Sequence, residues 1–435
     1  MPAVDRRSFL ALAGLTAGLA APASSTAQVL AATGGADWTA VRAAFQLSPQ
    51  YVHLNAMLFA AHPKGVRDTI DFHRRMLDAH PVTYLEDNNR RLQQEARAAL
   101  GRYLGVGADQ IALTGSTTES VALVYNGLKL RPGDEVLTTD QDYYVTHESL
   151  RHASAKNRSL VRRISLYDDI AACTDDQMVE RVMAAITPRT RVVALTWVHS
   201  STGLKIPSRR IAERIAALNV GRPEAERVLY ALDGVHGFGI ENETLESLGC
   251  DIFMAGCHKW LFGPRGTGLV AANEAGWRAL TPTVPSFIDS RAWSGWISGD
   301  GYSGEMSGSL MSPGGFKAFE HVWALPRAVE FHERLGKAAV EARTHALAGR
   351  LKQGLAAMPG VSLKTPMSPA MSAGIVSFDV TGRTAGDVVL ELRRRTVIAS
   401  AAPYAVQHVR LTPSIYNAEA DIDRALAAVR EIAGA

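Results

Sequence analysis

The stretch "DIFMAGCHKWLFGPRGTGLV", Asp251 to Val270, decides how this chain is read. An apolar run of strand length ends in Cys257-His258-Lys259-Trp260 and passes at once into a Gly-Pro-Arg-Gly-Thr-Gly loop, Gly263 to Gly268. A solvated surface lysine would account for Lys259 trivially. The apolar residues before it and the tryptophan after it favour burial instead. Burial disfavours the ammonium and lowers the pKa, so the amine becomes available as a nucleophile. A loop this rich in glycine needs backbone conformations that other residues avoid.

Other short, continuously apolar runs surround this one: "QIALTG", "EVLTTD", "RVVALTWV", "RVLYALDGV" and "GTGLVAAN". Such runs belong to strands buried on both faces of a mostly parallel sheet. Segments between them, such as "STTESVALVYNGLKL" and "SRRIAERIAALNV", carry helical spacing and suit crossovers. "GFKAFEHVWALPRAVEFHERLG" reads as one long connecting helix. The tail, with "AGIVSFDVTG", "AGDVVLELRRRT" and "HVRLTPSIY", reads as a separate α+β unit. The fold class expected is α/β. An N-terminal segment covers 36–75, a large domain 76–315, and the connecting helix with a small C-terminal domain 316–435.

Ligands of open α/β sheets sit at the carboxyl ends of strands. "ALTGSTTES" follows a strand and opens a helix, so the amides near Thr117 and Thr118 suit a phosphate. Ser116 and Glu119 also have the S-x-x-E spacing of a simple capping box. Asp233 ends the strand in "ALDGVHGFG", where a buried carboxylate needs a cationic partner or serves as an N-cap. His236, three residues on, has an ordinary structural reading beside a functional one. Ser200 and Ser201 end "TWVHSSTG". One chemistry uses a phosphate cradle, a strand-end carboxylate and a buried amine together. Pyridoxal 5′-phosphate (PLP) needs a lysine for its Schiff base, a carboxylate on its pyridinium nitrogen and a helix N-terminus for its phosphate. Lys259 is then the Schiff-base lysine, and Lys259 and Asp233 are the catalytic pair.

The ordered motifs T-G-S-T-T-E-S, D-Q-D-Y, H-S-S-T-G, D-G-V-H-G, H-K-W with G-P-R-G-T-G, and V-R-L-T-P-S-I-Y-N resemble the class V aminotransferase family. The match covers nearly all of the chain after its start. H-K-W and "GGFKAFEHVWAL" are similar to its isopenicillin N epimerase-like branch. The resemblance implies the PLP-dependent transferase fold of type I, a homodimer, and a small-molecule amino acid or peptide substrate. It places His236 at the phenolic oxygen, Ser200 where a polar amide is usual, and Tyr143 stacked on the cofactor. Thr117, Thr118 and His258 fall on phosphate-contacting positions, and Arg410 on the position that takes the substrate carboxylate. A planar guanidinium suits that task. Asn55 falls on the substrate side.

Departures from the family pattern stand out. Gly256 replaces the serine of desulfurase relatives, and Gly315-Phe316 stands where the dimer partner's Gly-Thr is usual. "LNAMLFAAHP" has bulky residues after Asn55 in place of glycines. With "DYYVTHESLR" it is similar to an exported PLP enzyme of siderophore maturation.

Transamination and epimerisation share their first steps on this residue set, and oxygen-dependent oxidative decarboxylation uses the same set. A cysteine desulfurase would need a mobile cysteine late in the chain, whereas the last one is Cys257. A non-enzymatic phosphate-binding protein is disfavoured by the lack of a P-loop or a helix-opening G-x-G-x-x-G.

The 435 residues carry 46 basic and 43 acidic groups with no basic block, which speaks against nucleic-acid binding. Cys173, Cys250 and Cys257 have no metal spacing, so no metal is expected, and the odd count speaks against a disulfide framework. The chain opens with "DRRSFLALAGLTAGLAAPASSTAQ", where Arg6-Arg7 precede an apolar run and a small-residue stretch ending near Ala27. That is the layout of a twin-arginine signal over 1–27, read by the twin-arginine translocase. The run is too short to span a bilayer. A periplasmic or secreted location is expected, with export in the folded state.

Overall fold

Residues 36–302 and 304–434 are described in the computed structural model; the expected signal over 1–27 lies outside them. Chain order gives β1 Val52–His53, β2 Ile111–Thr114, β3 Glu135–Thr139, β4 Leu160–Ile164, β5 Thr190–Thr196, β6 Leu229–Asp233, β7 Ile252–Gly256 and β8 Gly268–Ala272. The small C-terminal strands are β9 Val361–Leu363, β10 Val376–Val380, β11 Val397–Ile398, β12 Ser400–Ala401 and β13 Val409–Leu411.

The apolar runs become a seven-stranded sheet in the order β2-β8-β7-β6-β5-β3-β4. Every residue of β2, β3, β7 and β8 is buried, because helices cover both faces. β5 and β6 each have one half-buried position, and the edge strand β4 has no buried one. β3 runs parallel to β4 and β5, β5 to β6 and β6 to β7, while β8 is antiparallel to both β7 and β2. β2 therefore points the same way as β7. The carboxyl ends of β2, β3, β5, β6 and β7 line one edge, which is where the site is built.

The C-terminal unit is an antiparallel sheet, β12-β13-β10-β9, packed against helices Lys337–Ala356, Ala385–Arg394 and Glu419–Ala433. Its core centres on Leu347, Leu351, Phe378, Val388, Leu411 and Ile422. The N-terminal segment is shared between the two cores. Phe45 packs edge-on to Phe262 at 5.0 Å, whereas Val52 pairs in parallel with Val397 and joins the C-terminal core. The helix Lys64–Ala79 runs across residue 75, where the sequence pattern suggests a boundary.

The connecting helix expected over 315–336 is two helices, Phe319–Trp323 and Leu325–Leu335. Pro326 sits in the first turn of the second, where its missing N–H costs nothing; inside a continuous helix it would break a hydrogen bond and clash with the preceding turn. Both pieces bury apolar residues in the core of the large sheet.

Candidate active site

β7 ends at Gly256, and the chain then folds back tightly. The Gly263 amide donates to the Cys257 carbonyl at 2.8 Å, and the Phe262 amide to the Lys259 carbonyl at 3.0 Å. Gly266 adopts φ +71°, as the loop composition demands, and the Cys257 amide donates to the Thr267 carbonyl at 3.0 Å. Phe262, a non-glycine residue, also has positive φ, 56°. Its ring is held between Phe45 and the stacked ring of His332, so packing enforces the strain. The turn projects Lys259 into a cavity of about 270 Å³.

The walls of this cavity come from the aligned strand ends. Thr117 and Thr118 follow β2, Tyr143 follows β3, and Ser200 follows β5. Asp233 ends β6, His236 lies just beyond it, His258 and Lys259 follow β7, and Arg410 enters from β13. Nine sequence-derived candidates thus meet in one place. Asn55 does not line the cavity. It bridges to Thr412, beside β13, and Met57 and Leu58 form that part of the wall instead.

The electrostatics follow from burial. Desolvation holds the Lys259 amine below the ordinary lysine range; the Asp233 carboxylate pulls against this and the Arg410 charge adds to it. Desolvation raises the Asp233 carboxyl above its usual value, opposed by the Val235 amide and Lys259 and reinforced by Asp142. Asp233 Oδ1 accepts from the Val235 amide at 3.1 Å. Burial, then Lys259, keeps His236 well below its ordinary value and therefore neutral. The Trp260 indole N–H donates to His236 Nδ1 over a long 3.4 Å, which leaves the ring proton on Nε2, facing the cavity.

The helix Thr117–Gly127 settles the capping question without excluding an anion. Ser116 Oγ accepts from the Glu119 amide at 3.1 Å, and the Glu119 carboxylate reaches back to the Gly115 amide. The cap therefore uses Ser116 and leaves Thr117 free. Thr117 Oγ1 and His258 Nδ1 are both buried without a hydrogen-bond partner. Leaving such groups unpaired costs about 1–3 kcal/mol each. Gly256 lies against both: a Cβ there would sit 2.7 Å from Thr117 Oγ1 and 3.3 Å from His258 Nδ1. Two orphaned polar groups at a helix N-terminus fit a phosphate, and the buried carboxylate and amine fit the ring nitrogen and aldehyde of PLP.

Two residues that the sequence reading did not assign are prominent. Asp142 is buried and accepts from Thr138 Oγ1 (2.7 Å), Thr139 N and Oγ1 (2.8 Å each) and Thr196 N (2.8 Å), clamping the ends of β3 and β5. Its signal was the second acid of D-Q-D-Y. Tyr404 reaches the site from a loop and had no local signal. Elsewhere, Glu241, Glu341 and His345 bring possible metal-ligating atoms within 4.8 Å. Lys205 Nζ already lies 2.6 Å from Glu241 Oε2, so a cation is in place there.

Comparison with known proteins gives the family directly. Residues 78–425 match the model of "Aminotransferase class-V". The chain belongs to the class V aminotransferase family. Two similar relatives are isopenicillin N epimerases: that of Streptomyces clavuligerus is 27% identical over 414 residues, covering 92% of this chain and 99% of its own. That of Amycolatopsis lactamdurans is 28% identical over 412 residues, covering 91% and 98%. Probable cysteine desulfurases also match, at 26% identity for one from Mycobacterium leprae. Among solved structures, a C-DES mutant with glycine covalently linked to its PLP cofactor has a TM-score of 0.79 at 20% identity, over 90% of this chain and 99% of that one. This class V aminotransferase-family chain is a PLP-dependent enzyme of fold type I.

None of its cysteines lines the cavity, all are buried, and desolvation pushes the Cys257 thiol up to about 12. The thiolate is the reactive form, and burial disfavours it at Cys257.

Proposed function

We propose that this protein acts at the amino group or Cα of an amino acid or amino-acid-bearing peptide, as an aminotransferase or epimerase. The observation that carries this reading is the meeting of Lys259, Asp233 and Arg410 around one cavity. Bound PLP supplies an electron sink conjugated to the substrate Cα. Asp233 holds the ring nitrogen protonated, and the desolvated Lys259 amine moves a proton at the substrate Cα. His236, with its proton on Nε2, would donate to the phenolic oxygen. Arg410 orients the substrate through its carboxylate, and Thr117, Thr118 and His258 anchor the phosphate.

The test is incubation of the purified holoenzyme with candidate amino acids and short peptides, with mass spectrometry, chiral analysis and an oxygen electrode. Amino transfer to an oxo acid or inversion at Cα supports the reading. Oxygen uptake with loss of carbon dioxide would replace it by oxidative decarboxylation, as in siderophore-type maturation. Sulfur release from cysteine as the main reaction would overturn it.

The same reading includes export and assembly. The Arg6-Arg7 leader supports passage through the twin-arginine translocase with PLP already bound, because the PLP phosphate does not readily cross a bilayer. The enzyme then works in the periplasm or outside the cell as a homodimer. Replacing both arginines with lysine should leave loaded, full-length precursor in the cytoplasm. Processed, yellow protein in the periplasm of cells lacking the translocase would refute export by this route.

A further inference from the structure

β12 and β13 form a hairpin whose base is Arg410: Ser400 pairs with Arg410 and Ala401 with Val409. The Ala402 amide donates to the His408 carbonyl at 2.9 Å and closes the loop between them. Ala405, Val406 and Gln407 at its tip are exposed, while Tyr404 is turned inward. Its hydroxyl lies 2.7 Å from Ser200 Oγ, and its ring meets Tyr143 edge-on at 5.7 Å. Tyr404 thus touches two walls of the cavity, from the ends of β5 and β3, although it comes from the C-terminal unit.

The Ser200 contact matters because of what else Ser200 holds. Arg410 Nη1 donates to the Ser200 carbonyl at 2.8 Å, Nη2 to the Ala401 carbonyl at 3.0 Å, and Nε to Ser400 Oγ at 3.3 Å. A guanidinium has about five N–H donors, so these bonds leave about two for a carboxylate. The direction of that remaining fork depends on where the Ser200 carbonyl stands. A tyrosine present only for packing would satisfy its hydroxyl with any neighbour. This one is bound to the residue that also anchors the carboxylate-binding arginine.

We propose that Tyr404 is a positioning residue for the carboxylate subsite, acting through Ser200 on Arg410. It latches the 402–408 hairpin onto the ends of β3 and β5. This rests on the reading of Arg410 as the group that takes the substrate carboxylate.

Two reagents test it without knowledge of the natural substrate. Aminooxyacetate and methoxyamine both attack the PLP carbonyl carbon, but only the first carries a carboxylate. The rate at which each removes the visible band of the holoenzyme is measured. Wild type should favour aminooxyacetate, and Arg410→Ala should lose that preference. Tyr404→Phe should slow aminooxyacetate about 3- to 10-fold, the worth of one hydrogen bond. Its methoxyamine rate, visible spectrum and PLP content should stay those of wild type. Ser200→Ala removes the same hydroxyl pair from the other side and should give the same loss, with no further loss in the double variant. A crystal structure of Tyr404→Phe should show Arg410 Nη1 displaced from the Ser200 carbonyl. An unchanged aminooxyacetate rate in Tyr404→Phe, or equal slowing of both reagents, would overturn the proposal while leaving Arg410 intact. Absence of any preference in wild type would overturn the reading of Arg410, and the latch with it.

Discussion

Lys259 Nζ lies 3.4 Å from His236 Nε2, and His236 Nδ1 is itself bound to the indole N–H of Trp260. With Nδ1 accepting, the neutral imidazole carries its proton on Nε2, so the lysine nitrogen is the acceptor of this contact. An ammonium has no lone pair to accept with. The arrangement therefore favours the free amine, in agreement with the desolvation that lowers the Lys259 pKa.

A free amine at this position should be where the cofactor attaches. Lys259→Ala is expected to abolish turnover and the visible absorption of the holoenzyme while leaving the circular dichroism of the fold unchanged. Borohydride reduction of wild type should label the peptide containing Lys259. A label on Lys317, the next lysine in the chain, would reassign the site.

Asp233 is predicted to govern rate more than retention of PLP. In Asp233→Asn the side-chain oxygen can still accept from the Val235 amide, now 3.1 Å away, so the strand end keeps its shape. The negative charge that holds the ring nitrogen protonated is lost. A fall of at least about 10²-fold in rate is expected, by analogy with removal of one preorganised electrostatic partner. Near-normal turnover would show that another group, with buried Asp142 the first suspect, does this work.

Gly256 offers a test of the phosphate corner that leaves every polar group in place. A Cβ there would lie 2.7 Å from Thr117 Oγ1 and 3.1 Å from His258 Cε1. Gly256→Ala should displace both side chains and weaken PLP binding about tenfold, in the range of a modest overpacking penalty. Gly256→Ser adds a hydroxyl at the same point and should recover part of the affinity. Unaltered PLP affinity in the alanine variant, measured by titration of apoenzyme, would place the phosphate elsewhere.

Why these residues could be read in the sequence, while others could not, has a physical basis. Residues at strand ends follow continuously apolar runs, and a parallel sheet aligns those ends automatically, so Lys259, Asp233, Ser200 and Thr117 were visible as a set. The helix break at Pro326 was also written locally, and the helical spacing around it masked the proline. Pairing of Val52 with Val397 has no local signature, because a two-residue strand carries no pattern. Asn55 follows that pairing closely, and Met57 and Leu58 beyond it form the nearby cavity wall. Tyr404 sits in an aperiodic loop, and its value comes from Ser200, two hundred and four positions away.

The last prediction concerns pH and follows from the direction of the Lys259 shift. An ordinary lysine titrates near 10.5, and burial has moved this one lower. Between the folded value and 10.5 the unfolded chain holds a proton that the folded site has released. Stability from this group is therefore fully present above 10.5 and is lost as pH falls through the folded value. In the apoprotein, Lys259→Met should flatten that alkaline rise in denaturant unfolding. Capture of PLP needs the free amine, so its rate should climb with pH and level off before 10.5. Asp233 pulls the lysine value upward, so Asp233→Asn should move the midpoint of that climb to lower pH. Stopped-flow absorbance of apoenzyme mixed with PLP, from neutral to alkaline pH, measures both midpoints. A rate still climbing at pH 10.5 would mean that Lys259 behaves as a solvated lysine, and the electrostatic account of the site would fail.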